Sequence, residues 1–414
     1  MRIVEPITAE IVLEDFAAIK EALMNPHLSR TFDKRTYAEG NVREGVVSVM
    51  HGQAHRDRRR LENMQFRPDI LKLYEMDLFP PIADHMVAEA AAAGEADLFK
   101  LGERLAIVLA AKRAGFDLDP EDKPARESLI SFVEEFSQAS AIVDAKDPDA
   151  IRAAVRGAHT GFHEQFGVPS IERRQHALDA LARGEIEEDD LPHDILTSLL
   201  RHRDDPALGL TSDDIIVREA GTYLQGGTHT SSQTLINAID LLLDNRPTRP
   251  ELWEHVKTDM ALAQRCMHET LRLRPTTPKA KRRAEEATTV AGTPIPEGAL
   301  VVLDLATANR DLDLFGPDAA EFNPDRVMPS RNPLWGLSFG AGPHICPGRK
   351  VAGGLPQSAS AEPAADHLYG LVAKMIQAVV TQDPERHPTK PQAKDDRTTR
   401  FTRWREYWVR FDSN

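Results

Sequence analysis

FGAGPHICPG, residues 339–348, sets one cysteine among three glycines, with Pro343 and Pro347 stiffening the path on either side. Glycine suits a turn in which the backbone folds tightly and approaches something closely. A cysteine held in so rigid a loop is well placed to ligate a metal, because nearby amides can point at its sulfur and stabilise the thiolate. A small packed cysteine in a glycine-rich turn is the competing reading, and it would be preferred for a cysteine standing alone.

The surrounding chain has 414 residues, 41% hydrophobic and 28% charged. That is ordinary globular composition, with material for a large buried core. A formal charge of −14 argues against a general nucleic-acid binder. The other cysteine, Cys266, reads as a packing residue, so there is no disulfide framework and a reducing compartment is expected. The start, MRIVEPITAEIVLEDF, carries acids through its apolar positions, unlike a signal peptide. No run of about 18 apolar residues offers a spanning helix. The expectation is a cytoplasmic protein with neither a nucleic-acid nor a membrane partner.

Working outward, residues 10–25 show helical spacing before an Asn-Pro stop, and a densely basic helix runs from Gly52 through Met64. Residues 83–117 read as one or two helices. The region 150–200 reads as helix broken at Gly167-Val168-Pro169, with Glu185–Asp190 a solvated loop. The longest helix spans 210–245, opening on a capping-box spacing between Thr211 and Asp214. A further helix covers 250–273. Residues 288–305 suggest a β-hairpin, and 401–411 another strand.

Three other patterns bear on chemistry. Glu269 and Arg272 stand at i, i+3 on one helix face and can pair. GGTHTSS, residues 226–232, puts two glycines in the middle of the longest helix. They cost about 2 kcal/mol relative to alanine, which a plain packing helix has no need of. In His55-Arg-Asp-Arg-Arg59, His55 and Arg59 share a face, while Arg56, Arg58 and Arg60 read as a solvated surface.

Phe339, Gly340, Gly342, His344, Cys346 and Gly348 fall in register with the haem-binding loop of the cytochrome P450 family. The other patterns follow in that family's order, from about residue 10 to the C-terminus, so the chain resembles a soluble, bacterial-type haem-thiolate monooxygenase. The resemblance implies a mainly α fold with small β-sheets, a triangular-prism helical domain enclosing haem b (iron protoporphyrin IX), as one domain over 1–414. Cys346 would be the axial iron ligand, whose thiolate favours O–O cleavage. His344, and His55 with Arg59, match basic residues that contact propionates, and Arg282 matches the arginine on the other propionate. Arg326, in EFNPDR, would complete a structural network with Glu269 and Arg272. Gly227 and Thr230 match the glycine and alcohol of the oxygen site.

Three departures stand against that pattern. Where the family has an acid before the alcohol, this chain has His229, which either shuttles protons or faces away toward neighbouring helices. His55 comes early, so the usual first helix and outermost strand are expected to be missing. After Cys346 the run VAGGLPQSASAEPAADH carries Gly353, Gly354, Pro356 and Pro363 where a long helix is expected. Either the helix breaks there or 353–366 loops out as an insertion.

The activity implied is insertion of one atom of O2 into a small organic substrate, in secondary metabolism. With no nucleotide or flavin fingerprint in the chain, electrons would come from an external ferredoxin or flavodoxin. Arg56, Arg58, Arg60, Arg349 and Lys350 would form the docking patch for that acidic partner. The alternatives are a non-hydroxylating or peroxide-driven haem-thiolate enzyme, or a haem-binding sensor without catalysis. Specificity is expected from 31–50 and 150–185, with Val47, Val49, Thr276 and Thr277 facing the substrate by position, and no substrate class is indicated.

Overall fold

The longest helix runs Asp213–Asn245, 33 residues, or roughly 50 Å at the α-helical rise. In this computed structural model, which describes residues 9–30, 43–139, 145–328, 332–356, 364, 366–396 and 403–411, it is the axis about which the rest is packed. Ser212 rather than Thr211 caps it, its hydroxyl accepting the Ile215 amide. From Ser232 to Leu242 every residue is buried, as befits a helix enclosed on all sides. Helix Leu98–Ala114 crosses it closely. A Cβ on Gly102 would meet Ser232, whose hydroxyl donates to the Phe99 carbonyl at 3.0 Å.

Small sheets edge this helical body. The first has the order Glu10–Leu13, Leu300–Asp304, Lys279–Ala284, Leu28–Ser29, its first pair parallel. The second sets Trp404–Phe411 between Glu95–Asp97 and Pro384–Arg386. The third is the hairpin Thr288–Val290 with Thr293–Ile295. The architecture is thus mainly α with small β-sheets. No described helix is long and apolar enough to cross a membrane.

Several local expectations change. The helix expected over 10–25 is Phe16–Met24, capped by Asp15, because the β-branched run before it joins the first sheet. Leu300–Asp304 leaves the hairpin expected over 288–305 for that same sheet. Gly167-Val168-Pro169 does not break the chain's helix. Pro148–Phe162 passes through a π-helical turn, His163–Gly167, into Val168–Ala182. Pro169 sits in the first turn of that last helix, where a missing N–H costs nothing.

Beyond the cysteine loop the described residues form a short helix, Arg349–Gly353, and then helix Leu371–Val380. Between them the chain leaves at Gly354 (φ +68°) and comes back to the same place, with the Leu355 amide donating to Leu368 carbonyl at 2.8 Å. A Cβ on Gly354 would stand 2.2 Å from that carbonyl oxygen, and one on Gly370 would stand 2.4 Å from Ala352 carbonyl. Only glycine allows the two passes to touch. Gln264 clamps the exit by donating to the Gly353 and Leu355 carbonyls, and Glu75 clamps the return by accepting the Tyr369 and Gly370 amides.

Arg58 is a correction of another kind. It is not part of a solvated surface: its side chain is 1% exposed, 2.5 Å from Glu219, and donates to Leu208 carbonyl. Glu62 lies on the same buried seam, 2.5 Å from Tyr223 Oη. The helix period explains this, since positions 55, 58, 59 and 62 share the inward face. Arg58→Ala would leave two buried carboxylates without their cation. It should cost about 3–5 kcal/mol in urea unfolding, whereas Arg56→Ala, on the exposed face, should stay within about 0.5 kcal/mol.

Candidate functional site

The cysteine loop is held from beneath by a buried ionic network. Arg272 donates to both Glu269 oxygens, at 2.7 and 2.6 Å, and to the carbonyls of Asn309, Ala319 and Glu321. Arg326 joins it, 3.2 Å from Glu269 and 2.5 Å from Asp318. Glu269 and Arg272 are fully buried. The three residues expected to form a network do meet.

From that base the loop is aimed by aromatic contacts. His268 meets Trp335 edge to face at 4.7 Å, and Trp335 meets Phe339 at 5.3 Å. The Phe339 carbonyl accepts the Cys346 amide at 2.8 Å. Gly340 and Gly342 both take positive φ, the tight path the glycines implied. Cys346 is half-buried. Burial pushes its thiol up, while the Gly348 amide, the charges of Arg59 and Arg349, and the Arg349 amide pull the other way. These are the means by which a loop stabilises a thiolate. Cys266, fully buried and raised by burial, is the packing residue expected.

Basic groups converge beside the loop. The His55 and His344 rings lie 4.0 Å apart, and Arg59 donates to Ile345 carbonyl at 2.6 Å. Burial, then Arg59, Arg30, His51 and Arg56, hold His55 down at about 4. His344 is lowered too, by burial and then Arg30, His55, Arg282 and His51. Cationic groups crowded this closely disfavour one another's protonation, and carboxylates placed among them would be bound strongly. The donor set fits haem: one sulfur with amides directed at it, and beside it basic side chains for two propionates. Arg30 and His51 were not expected here. His51, four residues before His55, carried a readable signal, while Arg30 carried none.

On the long helix, adjacent residues diverge. Gly226 and Gly227 are exposed, Gly227 with Ala110 beside it, and Thr230 is half-exposed, its hydroxyl donating to Gly226 carbonyl at 2.6 Å. His229 is buried instead against helix Leu98–Ala114, edge-on to Phe99 at 5.9 Å and 3.6 Å from Glu103. Glu103 was missed, although it is an acid inside the apolar run LFKLGERLAIVLAA. Arg113 was missed as well. It is half-buried, its guanidinium over the Phe66 and Tyr74 rings. Val47 and Val49 are buried, Thr276 half-buried and Thr277 exposed, and positions 31–42 of the expected specificity loop lie outside the described residues.

A family model described as Cytochrome P450 matches residues 7–353, ending one residue before the turn at Gly354. Erythromycin C-12 hydroxylase of Saccharopolyspora erythraea is 29% identical over 259 residues, covering 57% of this chain and 62% of that protein. Lanosterol 14-alpha demethylase of Rattus norvegicus is 34% identical over 179 residues, 38% of this chain and 35% of that protein. The chain therefore spans less than two thirds of these relatives' lengths. Among solved structures, CalO2 superposes with a TM-score of 0.71 over 97% of this chain and 90% of its own, at 19% identity, a likeness of fold.

His268 yields a pH prediction. Its ring pairs with Gly353 carbonyl at 2.7 Å, and burial holds it down at about 4. Neutral when folded, it takes up a proton below its ordinary value of 6.5 once unfolded. This contribution is complete above pH 6.5 and lost as pH falls toward 4, at most roughly 3 kcal/mol. His268→Gln, which keeps a donor but cannot titrate, should flatten that limb of the unfolding free energy against pH.

Proposed function

The chain belongs to the cytochrome P450 family, and we propose that it is a haem-thiolate monooxygenase inserting one atom of O2 into a small organic substrate. The observation that carries this is Cys346, in a glycine turn with amides directed at its sulfur, beside the basic cluster of His55, Arg59, Arg282 and His344. Haem b bound there by a thiolate would supply a site for reductive activation of O2 and favour O–O cleavage.

This chain's own residues then divide the work. Cys346 supplies the ligand, held at one position by Phe339, Gly340 and Gly348. His55, Arg59, Arg282 and His344 would hold the propionates through charge-assisted hydrogen bonds. Gly227 keeps the distal helix surface open, and Thr230 offers a hydroxyl that can turn from Gly226 carbonyl to hold a proton. His229, the other candidate for moving protons, faces helix Leu98–Ala114 instead of this hydroxyl. Glu269, Arg272 and Arg326 position the loop and touch no reacting atom. We read the chain as one domain, with 353–366 as an insertion on the cysteine side.

The reading extends to a cytoplasmic enzyme of specialised metabolism, supported by the hydroxylase named among its relatives. Electrons come from a ferredoxin or flavodoxin at Arg56, Arg60, Arg349 and Lys350. Arg58, buried, drops out of that patch. One observation favours a second reading: the acid usual before the alcohol is replaced by His229, which is turned into the packing. A peroxide-driven or non-hydroxylating enzyme needs less proton delivery, and turnover with peroxide alone that matched turnover with a reductase would establish it.

The reduced protein with carbon monoxide should show a red-shifted Soret band that Cys346→Ala abolishes, and an unshifted band in the wild type would overturn thiolate ligation. Electron transfer from an acidic donor should slow as ionic strength rises. A salt-independent rate would remove the docking patch.

A further inference from the structure

Helix Gly52–Glu62 and the long helix meet over a cluster of charges that the chemistry at the cysteine does not use. Arg58 donates to Glu219 at 2.5 Å and to Leu208 carbonyl, and Tyr223 Oη donates to Glu62 at 2.5 Å. The side chains of Arg58 and Glu219 are 1% and 0% exposed, and Glu62 is fully buried. Two carboxyls therefore lie against one buried guanidinium. Each has an oxygen, Oε1, that is buried and takes no donor from the other described residues, and the two acids hydrogen-bond to each other. Ionised carboxylates are acceptors only, so that bond needs a proton between them. One shared proton supplies it and brings the cluster to neutrality.

Glu219 has a second duty. Its Oε2 accepts the Val47 amide at 2.8 Å, and the residue before it, Arg218, donates to Glu44 carbonyl at 2.7 Å. These bonds fasten 43–50, the described end of the segment expected to give specificity, onto the long helix. Val47–Val49 is a single 3-10 turn, too short to keep its place alone.

We propose that Glu62 and Glu219 share one proton and that this proton is a latch on the substrate side: while it is held, Glu219 keeps Val47 in place, and when it leaves, the loop is released. This rests on the monooxygenase reading, in which 43–50 lies on the substrate side. The proton passes to water, leaving both carboxylates charged beside a single guanidinium. A buried cluster with excess negative charge is relieved by letting water in. The wall that can yield is the loop, since Arg58, Glu62, Glu219 and Tyr223 all stand on helices.

The surrounding groups set the direction. Burial and then the charge of Glu219 push Glu62 well up, against the Tyr223 hydroxyl, Arg58 and Arg59. Burial pushes Glu219 up too, against Arg58, the Val47 amide and Glu62. Burial, Glu62 and Glu219 raise Tyr223, which stays a donor. Arg59 is turned to Ile345 carbonyl, and Arg218 is paired with Asp214 at 2.7 Å. Arg113 lies beyond Tyr223, over the Phe66 ring that is 5.8 Å from the tyrosine ring. The latch is thus closed at low pH and opens as pH rises.

Hydrogen exchange on peptides spanning 43–50 tests this in the whole haem-loaded protein. Corrected for the intrinsic rate, opening should rise about tenfold per pH unit above its midpoint, the slope of a one-proton device. Glu62→Gln, whose amide donates to Glu219 without titrating, should hold the loop and flatten the curve. Tyr223→Phe removes a donor that favours the charged form of Glu62, and should move the midpoint upward by about one pH unit. Carbon monoxide rebinding after photolysis should speed up along the same curve in the wild type and stay constant in Glu62→Gln.

Opening that ignores pH in the wild type, or that follows the same curve in Glu62→Gln, would overturn the proposal. So would rebinding that stays constant while the loop opens. None of these outcomes touches Cys346, so the monooxygenase reading would stand. If instead the thiolate band itself is missing, that reading fails, and the exchange curves still decide whether the acid pair holds the loop.

Discussion

Arg272 carries a full charge where no water reaches, and most of the cysteine side is arranged around that fact. A guanidinium in the interior is tolerable only when its donors are taken up in their fixed planar geometry. Glu269 satisfies two of them from the same helix, and the rest reach carbonyls at Asn309, Ala319 and Glu321. Three points of an otherwise irregular stretch are thereby fixed to one side chain. Asn309 passes the constraint on, its side chain accepting the Leu337 amide and donating to Ser338, two residues before Gly340. The position of Cys346 is thus inherited from a salt bridge that takes no part in chemistry. Lysine in place of Arg272 would keep the charge and lose this ruler, because an ammonium has no planar fork.

The long helix serves two masters within a single turn. About 100° separates neighbouring residues, so Thr228 and His229 are sunk in packing while Gly226, Gly227 and Thr230 look the other way. Five of its hydroxyls, on Thr222, Thr228, Thr230, Ser231 and Thr234, donate back to carbonyls four positions earlier. Such bonds satisfy buried hydroxyls locally and loosen the helix. Stability comes from the crossing with Leu98–Ala114, and that contact is where Glu103 enters.

What could be read from the sequence was whatever depends on short spacings. The cysteine loop, Glu269 with Arg272, and His55 with Arg59 each lie within one turn or one helix face, and each is found assembled. Arg58 shows how a readable signal is lost. A dense run of arginines looks uniformly solvated, yet the helix period sets Arg58 with His55 and Glu62 rather than with Arg56 and Arg60. Its partner Glu219 is 161 residues away, and pairing at that separation leaves no local trace. Arg30 is the extreme case, a residue brought to His344 by the pairing of Leu28–Ser29 with Lys279–Ala284. The strand at 10–13 was obscured differently, since short apolar runs suit a helix or a strand until a neighbouring strand decides, whereas 300–304 was read as a strand and only its partners were missed.

The double pass at Gly354 and Gly370 has a consequence for the history of this chain. Exit and return are sealed by their own hydrogen bonds and by Gln264 and Glu75, so the length of the segment between them is uncoupled from the fold on either side. Closing a loop grows dearer only with the logarithm of its length, about 0.6 kcal/mol for each doubling. Residues can be gained or lost there with little effect on the cysteine loop upstream or the helix downstream. The short helix after the cysteine loop thus opens, at Gly354, onto a port at which new surface can be tried out.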